Sequence, residues 1–263
     1  WSTARRMRQI ARWLLCLAAL ARHFRAAGTG TPGVSRRDLG HLALRHGIAS
    51  RNTAYVFFDE MLKYGILHPV FPEDNTDEVV PTSEALAALV QWCAVHLAAL
   101  DQIDGGNRNG RFCAEPERLL PFFVPLLAEG LLACPDVRMP GPLYRIFAWT
   151  DAGGLLMDRL VAGIDRRALQ PGGYLTDVSS ITHLARAFGL SRAHANRKVA
   201  EAESIGGIGW TGRRGHSCIW ISRAFYTEYA SAQARKLVIF REAFAASEGE
   251  PSRLDSGDYA ACS

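Results

Sequence analysis

Apolar residues recur at three- and four-residue intervals along most of the chain, which is the period of amphipathic helices. In chain order, the pattern predicts helices over residues 3–27, 36–46, 51–64, 82–103, 117–133, 143–169, 180–188, 192–204 and 223–246. Two stretches, 66–80 and 208–221, have the pattern of a strand, a polar loop and a second strand. The sequence therefore predicts a mainly α-helical fold with small β-hairpins.

Turn-forming residues divide this series of helices. The segment Asp104–Gly110 is rich in glycine and asparagine, and it is the clearest candidate linker in the chain. The last residues combine glycine, proline, serine and acids, which is typical of a frayed terminus. We therefore predict an N-terminal lobe over 1–104, a C-terminal lobe over 111–246 and a flexible tail over 247–263.

Part of the N-terminal half recurs in the C-terminal half. The segment His41–Ile48 matches His183–Leu190 at an offset of 142 residues, with His-Leu-Ala at its start and a glycine before its last apolar residue. At an offset of 141 residues, Ser50-Arg51 then matches Ser191-Arg192, and Gly65 matches Gly206. The offset changes by one because the first copy has one more residue in its turn. Matching segments at a nearly constant offset indicate a duplicated structural unit.

The repeated segment has the spacing of a helix-turn-helix. Ala43 and Ala185 are small enough for two helices to cross closely. Gly47 and Gly189 stand at the turn, where a positive φ is needed and glycine adopts it without steric cost. Ser50 and Ser191 precede the second helix as N-caps, because a serine hydroxyl accepts from the free backbone N–H groups of a helix start.

This register predicts which side chains of the second helix face solvent. We expect Ser191, Arg192, His194, Asn196 and Arg197, with Lys198 beside them, in the C-terminal copy, and Ser50, Arg51, Asn52, Thr53 and Tyr55 in the N-terminal copy. Arginine can read guanine and asparagine can read adenine in the major groove, where a recognition helix docks by its N-terminal residues. These residues are candidate contacts to double-stranded DNA; the alternative is a solvated helix in a structural hairpin, which the duplication disfavours.

The two predicted hairpins carry opposite charges. Arg213, Arg214 and His216 lie at the tip of the second hairpin, where they suit phosphates or the adjacent minor groove; a surface hairpin with incidental arginines is the alternative. The first hairpin carries Glu73, Asp74, Asp77 and Glu78, which would repel a DNA backbone. The two copies are therefore not equivalent.

The order of helix, helix-turn-helix, hairpin and long helix resembles the winged-helix regulators of the MarR family. The strings LARAFGLSRAHANRKVAEAESIGGI and LALRHGIASRNTAYVFFDEMLKYGIL carry the resemblance, and Val80–Glu84 is similar to the family's junction between wing and helix. It covers most of residues 5–245. Since such proteins typically form homodimers with one winged helix per subunit, it implies a tandem winged helix-turn-helix pseudo-dimer and a DNA-binding transcription regulator. Neither hairpin has the family's Asp-x-Arg wing pattern.

Charge is unevenly distributed along the chain, although the formal total is only +4. The local balance is +8 over residues 1–50, −7 over 51–104 and +4 over 180–216. An acidic face over 51–104 suits a basic protein partner better than DNA. Two alternatives to the regulator therefore stay open: a tandem winged-helix adaptor for protein interactions, and a plasmid-type replication initiator, which also carries two winged helices.

Motifs of enzymes and metal sites are missing from the sequence. There is no P-loop, no G-x-S-x-G, no H-E-x-x-H and no C-x-x-C, and the cysteines are dispersed. Asp101 and Asp104, which could act as a pair, precede the predicted linker and are expected to be solvated. We therefore expect no enzyme activity, no cofactor and no bound metal.

Two further expectations concern location and ligands. The apolar stretch Trp13–Ala21 is too short for a membrane helix and lacks the cleavage pattern of a secretory signal, which predicts a cytoplasmic protein with no membrane contact. Aromatic residues on the long helices favour an interdomain core, with a pocket for a small-molecule effector as the alternative. They are Trp13, Trp92, Phe122, Phe123, Tyr144, Phe147 and Trp149.

Overall fold

The computed structural model describes residues 10–27, 33–70, 78–138, 141–148, 153–170 and 172–249. The helices are α1 (Ile10–Ala27), α2 (Arg36–Arg45), α3 (Arg51–Lys63), α4 (Ser83–Asp104), α5 (Arg108–Ala114), α6 (Pro116–Ala133), α7 (Pro135–Arg138), α8 (Pro142–Ala148), α9 (Gly153–Ala162), α10 (Ile181–Ala187), α11 (Arg192–Ser204) and α12 (Arg223–Gly249). The strands are β1 (Leu67–Pro69), β2 (Val79–Pro81), β3 (Ile164–Gln170), β4 (Gly173–Thr176), β5 (Ile208–Trp210) and β6 (Ile219–Ser222).

The strands form two small antiparallel sheets. The first pairs β1 with β2, opposing Leu67 and Pro81, and Val34 adds an isolated bridge to Val79. The second has the order β3-β4-β6-β5, and it opposes Ile208 and Ile221 between its hairpin strands. The prediction of a mainly helical fold with small β-hairpins is confirmed.

Two parts of the chain repeat the same backbone. We call α2, α3, β1 and β2 the N-terminal unit, and α10, α11, β5 and β6 the C-terminal unit. The turn glycines Gly47 and Gly189 have φ of +58° and +62°. Equivalent backbone hydrogen bonds close both turns, from Ile48 N to Ala43 O and from Leu190 N to Ala185 O, each 2.9 Å.

The repeat extends through the hairpin of each unit into the next helix. Gly65 and Gly206 have φ of +65° and +73° at the end of the second helix. Beyond the hairpins, the N–H groups of Thr82 and Ser222 donate to Ile66 O at 3.0 Å and Gly207 O at 2.9 Å. The side chains of Thr82 and Ser222 then accept from the backbone N–H groups three residues on, at 3.2 and 3.1 Å. The duplication predicted from short residue matches is therefore a duplication of backbone geometry.

A central core lies between the two units. Its buried side chains come from α1, α4, α5, α6, α7 and α12, so it draws on both predicted lobes. Aromatic rings occupy its middle: Trp92 and Phe123 approach Phe240 edge-on, with ring centroids 5.0 and 5.9 Å apart. Each unit has its own smaller core beside it. The two lobes therefore share the largest apolar cluster of the described chain.

The prediction of one helix over residues 143–169 is wrong. The structure has two short helices there, α8 and α9, followed by strand β3. At Gly163, between α9 and β3, an added Cβ would lie 2.1 Å from a carboxylate oxygen of Asp177. A continuous helix fits the apolar period of this segment, but the strand forms because β4 offers its backbone as a partner.

Two other boundaries differ from the prediction. The linker over 104–110 is reduced to residues 105–107, because α5 begins at Arg108. Arg108 donates to Asp101 at 3.0 Å and to Asp104 at 2.8 Å, so these two carboxylates hold the start of α5 instead of being merely solvated. At the C-terminus α12 continues through Gly249 and buries Ser247 (2% exposed), where the prediction starts a flexible tail.

Helix α4 has a mixed environment. Among the residues that the structure describes, it alone is long and apolar enough to cross a membrane by length and composition, and 22% of its most apolar window is buried. Its inner side contributes Leu89, Cys93, Leu97 and Leu100 to the central core. Length and composition do not distinguish a membrane span from a core helix. One side of α4 packs in the central core, and most of its apolar window is not buried.

Candidate nucleic-acid interface

Helix α11 presents a basic surface in the C-terminal unit. The Ser191 hydroxyl accepts from His194 N at 3.1 Å and caps its first turn. Ala195, Val199 and Ala202 are fully buried and fix the rotation of the helix. Arg192, Asn196 and Arg197 are exposed on its other side, as predicted. This arrangement offers two guanidinium groups and an amide from one rigid helix.

His194 stands beside this exposed group. It is half-buried, and its Nδ1 lies 3.2 Å from an Nη of Arg197. The contact holds the arginine along the helix toward the first turn. His194 therefore helps to position a charged neighbour.

Lys198 was expected at the surface beside these residues, and this is wrong. Its side chain is buried (8% exposed), and its Nζ donates to Glu201 at 3.3 Å. The reason is the helical register: the buried positions of α11 are Ala195, Lys198, Val199 and Ala202, and those of α3 are Ala54, Phe57, Phe58 and Met61. Lys198 thus occupies the place of Phe57 in the other unit.

Helix α3 is capped in the same way but exposes only one cation, Arg51, in its first two turns. The Ser50 hydroxyl accepts from Thr53 N at 3.2 Å, and Arg51, Asn52 and Thr53 are exposed. Tyr55 is half-buried, because its ring packs where Gly40 of α2 has no side chain: an added Cβ would lie 2.7 Å from Cε1. The candidate contacts of α3 are therefore Arg51, Asn52 and Thr53, with Tyr55 held back against α2.

Ion pairs reduce the free charge around α3. Arg36 stacks over the Tyr55 ring, 5.3 Å from its centroid, and pairs with Asp59. Arg12 of α1 forms two hydrogen bonds with Glu60. Arg36 thus ties α2 to α3, and Arg12 ties α1 to α3.

The hairpin loop of the C-terminal unit is ordered by its own hydrogen bonds. Thr211 N donates to Cys218 O and His216 N donates to Arg213 O, both at 3.0 Å. Gly215, with φ of +78°, makes the turn at the tip. Arg213, Arg214 and His216 are all exposed on this loop.

Arg214 is also tied to the second helix of its unit. Its Nε donates to Glu203 of α11 at 2.9 Å, and its guanidinium lies over the Trp210 ring, 5.9 Å from the centroid. Through this side chain the loop is anchored to α11. The two arginines of the tip therefore differ, because part of the charge of Arg214 is already compensated.

The acidic stretch 51–104 is less uniform than its composition indicates. Glu73, Asp74 and Asp77 lie outside the described residues, and Glu78 is exposed. Four other acids are in ion pairs within the chain, namely Asp59, Glu60, Asp101 and Asp104. These pairs lower the net charge that the stretch presents to a basic partner.

One cleft of about 350 Å³ lies between α1, the end of α2 and α6. Its floor is apolar, with Ala21, Leu42 and Leu132, and its rim carries Arg45 and the pair of Arg25 and Glu129. In the part of the chain that the structure describes, no three His, Cys, Asp or Glu side chains are grouped to hold a metal ion.

The residues of α3 predicted to face solvent did not include Val56. Val56 lies on the outward side of α3, one turn after Asn52, and it is 55% exposed. The signal was present in the repeat, because Val56 aligns with Arg197 at the offset of 141. No protein-family model, no curated protein and no solved structure matches this chain.

Proposed function

We propose that this protein is a sequence-specific, double-stranded-DNA-binding transcription regulator. Two winged-helix units would act as an intramolecular pseudo-dimer around the shared central core. The observation that carries the proposal is the repeated helix-turn-helix and hairpin, whose C-terminal copy exposes Arg192, Asn196 and Arg197 beside the basic tip at Arg213.

Each part of this surface fits a known mode of DNA contact. Arg192 and Arg197 can donate two hydrogen bonds to guanine, and Asn196 can pair with adenine in the major groove. Arg213, Arg214 and His216 suit phosphates or the neighbouring minor groove. Ser191 and Ser50, at the helix N-termini, suit phosphate oxygens because backbone N–H groups converge there.

The N-terminal unit would contact a second half-site through Arg51, Asn52 and Thr53. In a pseudo-dimer we expect the two half-sites to lie about one helical turn apart, roughly 34 Å. With Tyr55 packed on α2 and Arg36 paired to Asp59, fewer groups are left for DNA. The second half-site should therefore contribute less affinity than the first.

Selection of bound duplexes from a random pool tests the proposal. The wild-type chain should enrich one motif, and its affinity should fall steeply with salt because phosphate contacts release counterions. The double variant Arg192→Ala/Arg197→Ala should lose about 100-fold in affinity, since each bidentate base contact contributes on the order of 1–3 kcal/mol. The control Arg118→Ala/Arg235→Ala removes two exposed arginines elsewhere and should bind as wild type.

Three outcomes would decide against the regulator. No retention of any duplex would favour the protein-interaction adaptor, whose partner would bind the acidic stretch 51–104. Enrichment of directly repeated sites would favour a replication initiator. Equal losses of affinity in the two double variants would show that binding is a non-specific attraction between arginines and the DNA backbone.

A further inference from the structure

The second helices of the two units, α3 and α11, align residue by residue without a gap. Both α3 and α11 begin one residue after a capping serine and have 13 residues. Both bury the fourth, seventh, eighth and eleventh of these residues. Equal length, equal capping and an equal buried side mean that equivalent positions point in the same direction relative to their own units.

The sixth position of each helix is exposed in both units. It is Val56 in α3 and Arg197 in α11. In a helix this position lies opposite the buried fourth and eighth residues, so it is directed outward. Whatever Arg197 faces in the C-terminal unit, Val56 faces in the N-terminal one.

An exposed valine on a helix contributes little to the stability of the fold. Its β-branched side chain is a poorer helix former than arginine or lysine, and at 55% exposure it buries little apolar area. Isolated apolar residues on a surface are common and need no explanation by themselves. Here the valine occupies the outward position of a helix that is proposed to enter the major groove.

The two side chains match different bases in that groove. Arginine donates two hydrogen bonds to O6 and N7 of guanine, whereas an apolar side chain packs on the 5-methyl group of thymine. Val56 has no polar group that would leave a base edge wrongly paired. We propose that Val56 is a specificity-determining residue that reads a thymine methyl at the position where Arg197 reads guanine.

This inference rests on the proposed function and makes it narrower. The bound sequence would not be a palindrome, although the protein backbone has pseudo-twofold repetition. One half-site would carry guanine and the other thymine at equivalent places. A homodimer of identical helices could not make this distinction within one site.

Deoxyuridine, which lacks the 5-methyl group of thymine, provides the direct test. Each thymine of the duplex selected by the wild-type chain is replaced in turn, and the dissociation constant is measured. One position in the weaker half-site should lose about fourfold, the value for one buried methyl-sized group. Val56→Ala should abolish this sensitivity, whereas Val95→Ala, which truncates an exposed valine on α4, should retain it.

Exchanging the two side chains gives a second measurement. Val56→Arg should change the preferred base at that position from thymine to guanine in a new selection, and Arg197→Val should make the reverse change in the other half-site. Because both positions are exposed, the melting temperature of each variant should stay close to that of the wild type. A changed motif at an unchanged melting temperature supports the assignment.

Failure of the inference is distinct from failure of the proposed function. If the wild-type chain selects a motif but no thymine responds to removal of its methyl group, the Val56 assignment is wrong and the regulator stands. If Val56→Ala and wild type lose equally on deoxyuridine, the methyl is read by another residue. If no duplex is retained, both proposals fall.

Discussion

The two repeated units share their order of elements, their turn geometry and their helix capping, but they differ in their surfaces. Their turns are closed by equivalent hydrogen bonds at Ile48 and Leu190, and their second helices are capped by equivalent serines. On the outside, α11 exposes Arg192, Asn196 and Arg197. The equivalent face of α3 exposes Arg51, Asn52 and Val56 and holds its acids in ion pairs.

The difference separates two kinds of position. Turn glycines, capping serines and crossing alanines are constrained by backbone geometry and close packing, so both copies keep them. Outward positions are not constrained by the fold, and a change there alters what the unit can bind at little cost in stability. Differences in function between the two units are therefore expected to come from their exposed positions.

The largest expected effect concerns the seventh position of each helix, where the two units differ inside. Phe57 is 2% exposed in α3, and Lys198 is 8% exposed in α11. Phe57→Lys should destabilise the protein by about 4 kcal/mol, because it removes a buried ring and buries a cation whose neighbouring carboxylate, Glu60, already pairs with Arg12. Denaturant unfolding measures the change.

The variant Lys198→Met, at the equivalent position of α11, serves as the control. It keeps a long flexible stem and removes one ion pair, so its stability should change by less than about 1 kcal/mol. Because Lys198 is turned inward, this variant should also keep the DNA affinity and its salt dependence. A large loss of affinity would return Lys198 to the DNA contacts predicted from the sequence.

An intermediate effect tests whether the two units unfold together. His96 stacks on Phe240 in the shared core, 4.6 Å between ring centroids, and its Nδ1 lies 2.8 Å from Trp92 O. Burial, together with nearby Lys236, lowers the pKa of His96 from 6.5 to about 4. Because the unfolded chain binds this proton more readily, stability should fall between about pH 6.5 and pH 4, by up to about 3 kcal/mol.

Melting temperatures across this pH range measure the effect. His96→Leu should flatten the decline, whereas a variant at an exposed histidine, His183→Leu, should leave it unchanged. Since the central core draws on both lobes, we expect one cooperative transition at each pH. Two separate transitions would contradict a shared core and indicate that the units are independent.

The smallest expected effect distinguishes the two arginines of the basic loop. Arg213→Ala/Arg214→Ala should lower the slope of log affinity against log salt by about 1.8, if both reach phosphates. Glu203→Gln should raise affinity about twofold, because the charge of Arg214 would no longer be compensated by a carboxylate. Arg118→Ala removes an exposed, ion-paired arginine outside the loop, and as the control it should bind DNA as the wild type does. An unchanged slope in the double variant would remove the loop from the DNA contacts.

Much of the fold follows from local signals that the sequence contains. Serine caps, turn glycines and the three-to-four-residue apolar period predicted α2, α3, α10 and α11 to within a residue or two. The outward direction of Arg192, Asn196 and Arg197 followed from the same register. These features are local because capping and helical periodicity involve residues within a few positions of each other.

Other features depended on contacts between distant residues. Strand β3 was predicted as helix, because its pairing with β4 does not appear in the apolar period of its own segment. The burial of Lys198 follows from its alignment with Phe57 in the repeat, but the prediction placed it at the surface beside Arg197. The pairing of Arg214 with Glu203, eleven residues away, also required the loop to fold back on α11.

The sequence by itself determined the repeated helix-turn-helix, its capping and its charge difference, because these depend on residue types at short, fixed spacings. Only the tertiary structure decided which charges are free. Arg36 and Arg12 are committed to Asp59 and Glu60, Tyr55 is held at Gly40, and the helices of both lobes join in one core. Ion pairing and burial join residues far apart in the chain, so the spacing of residues along it cannot determine them.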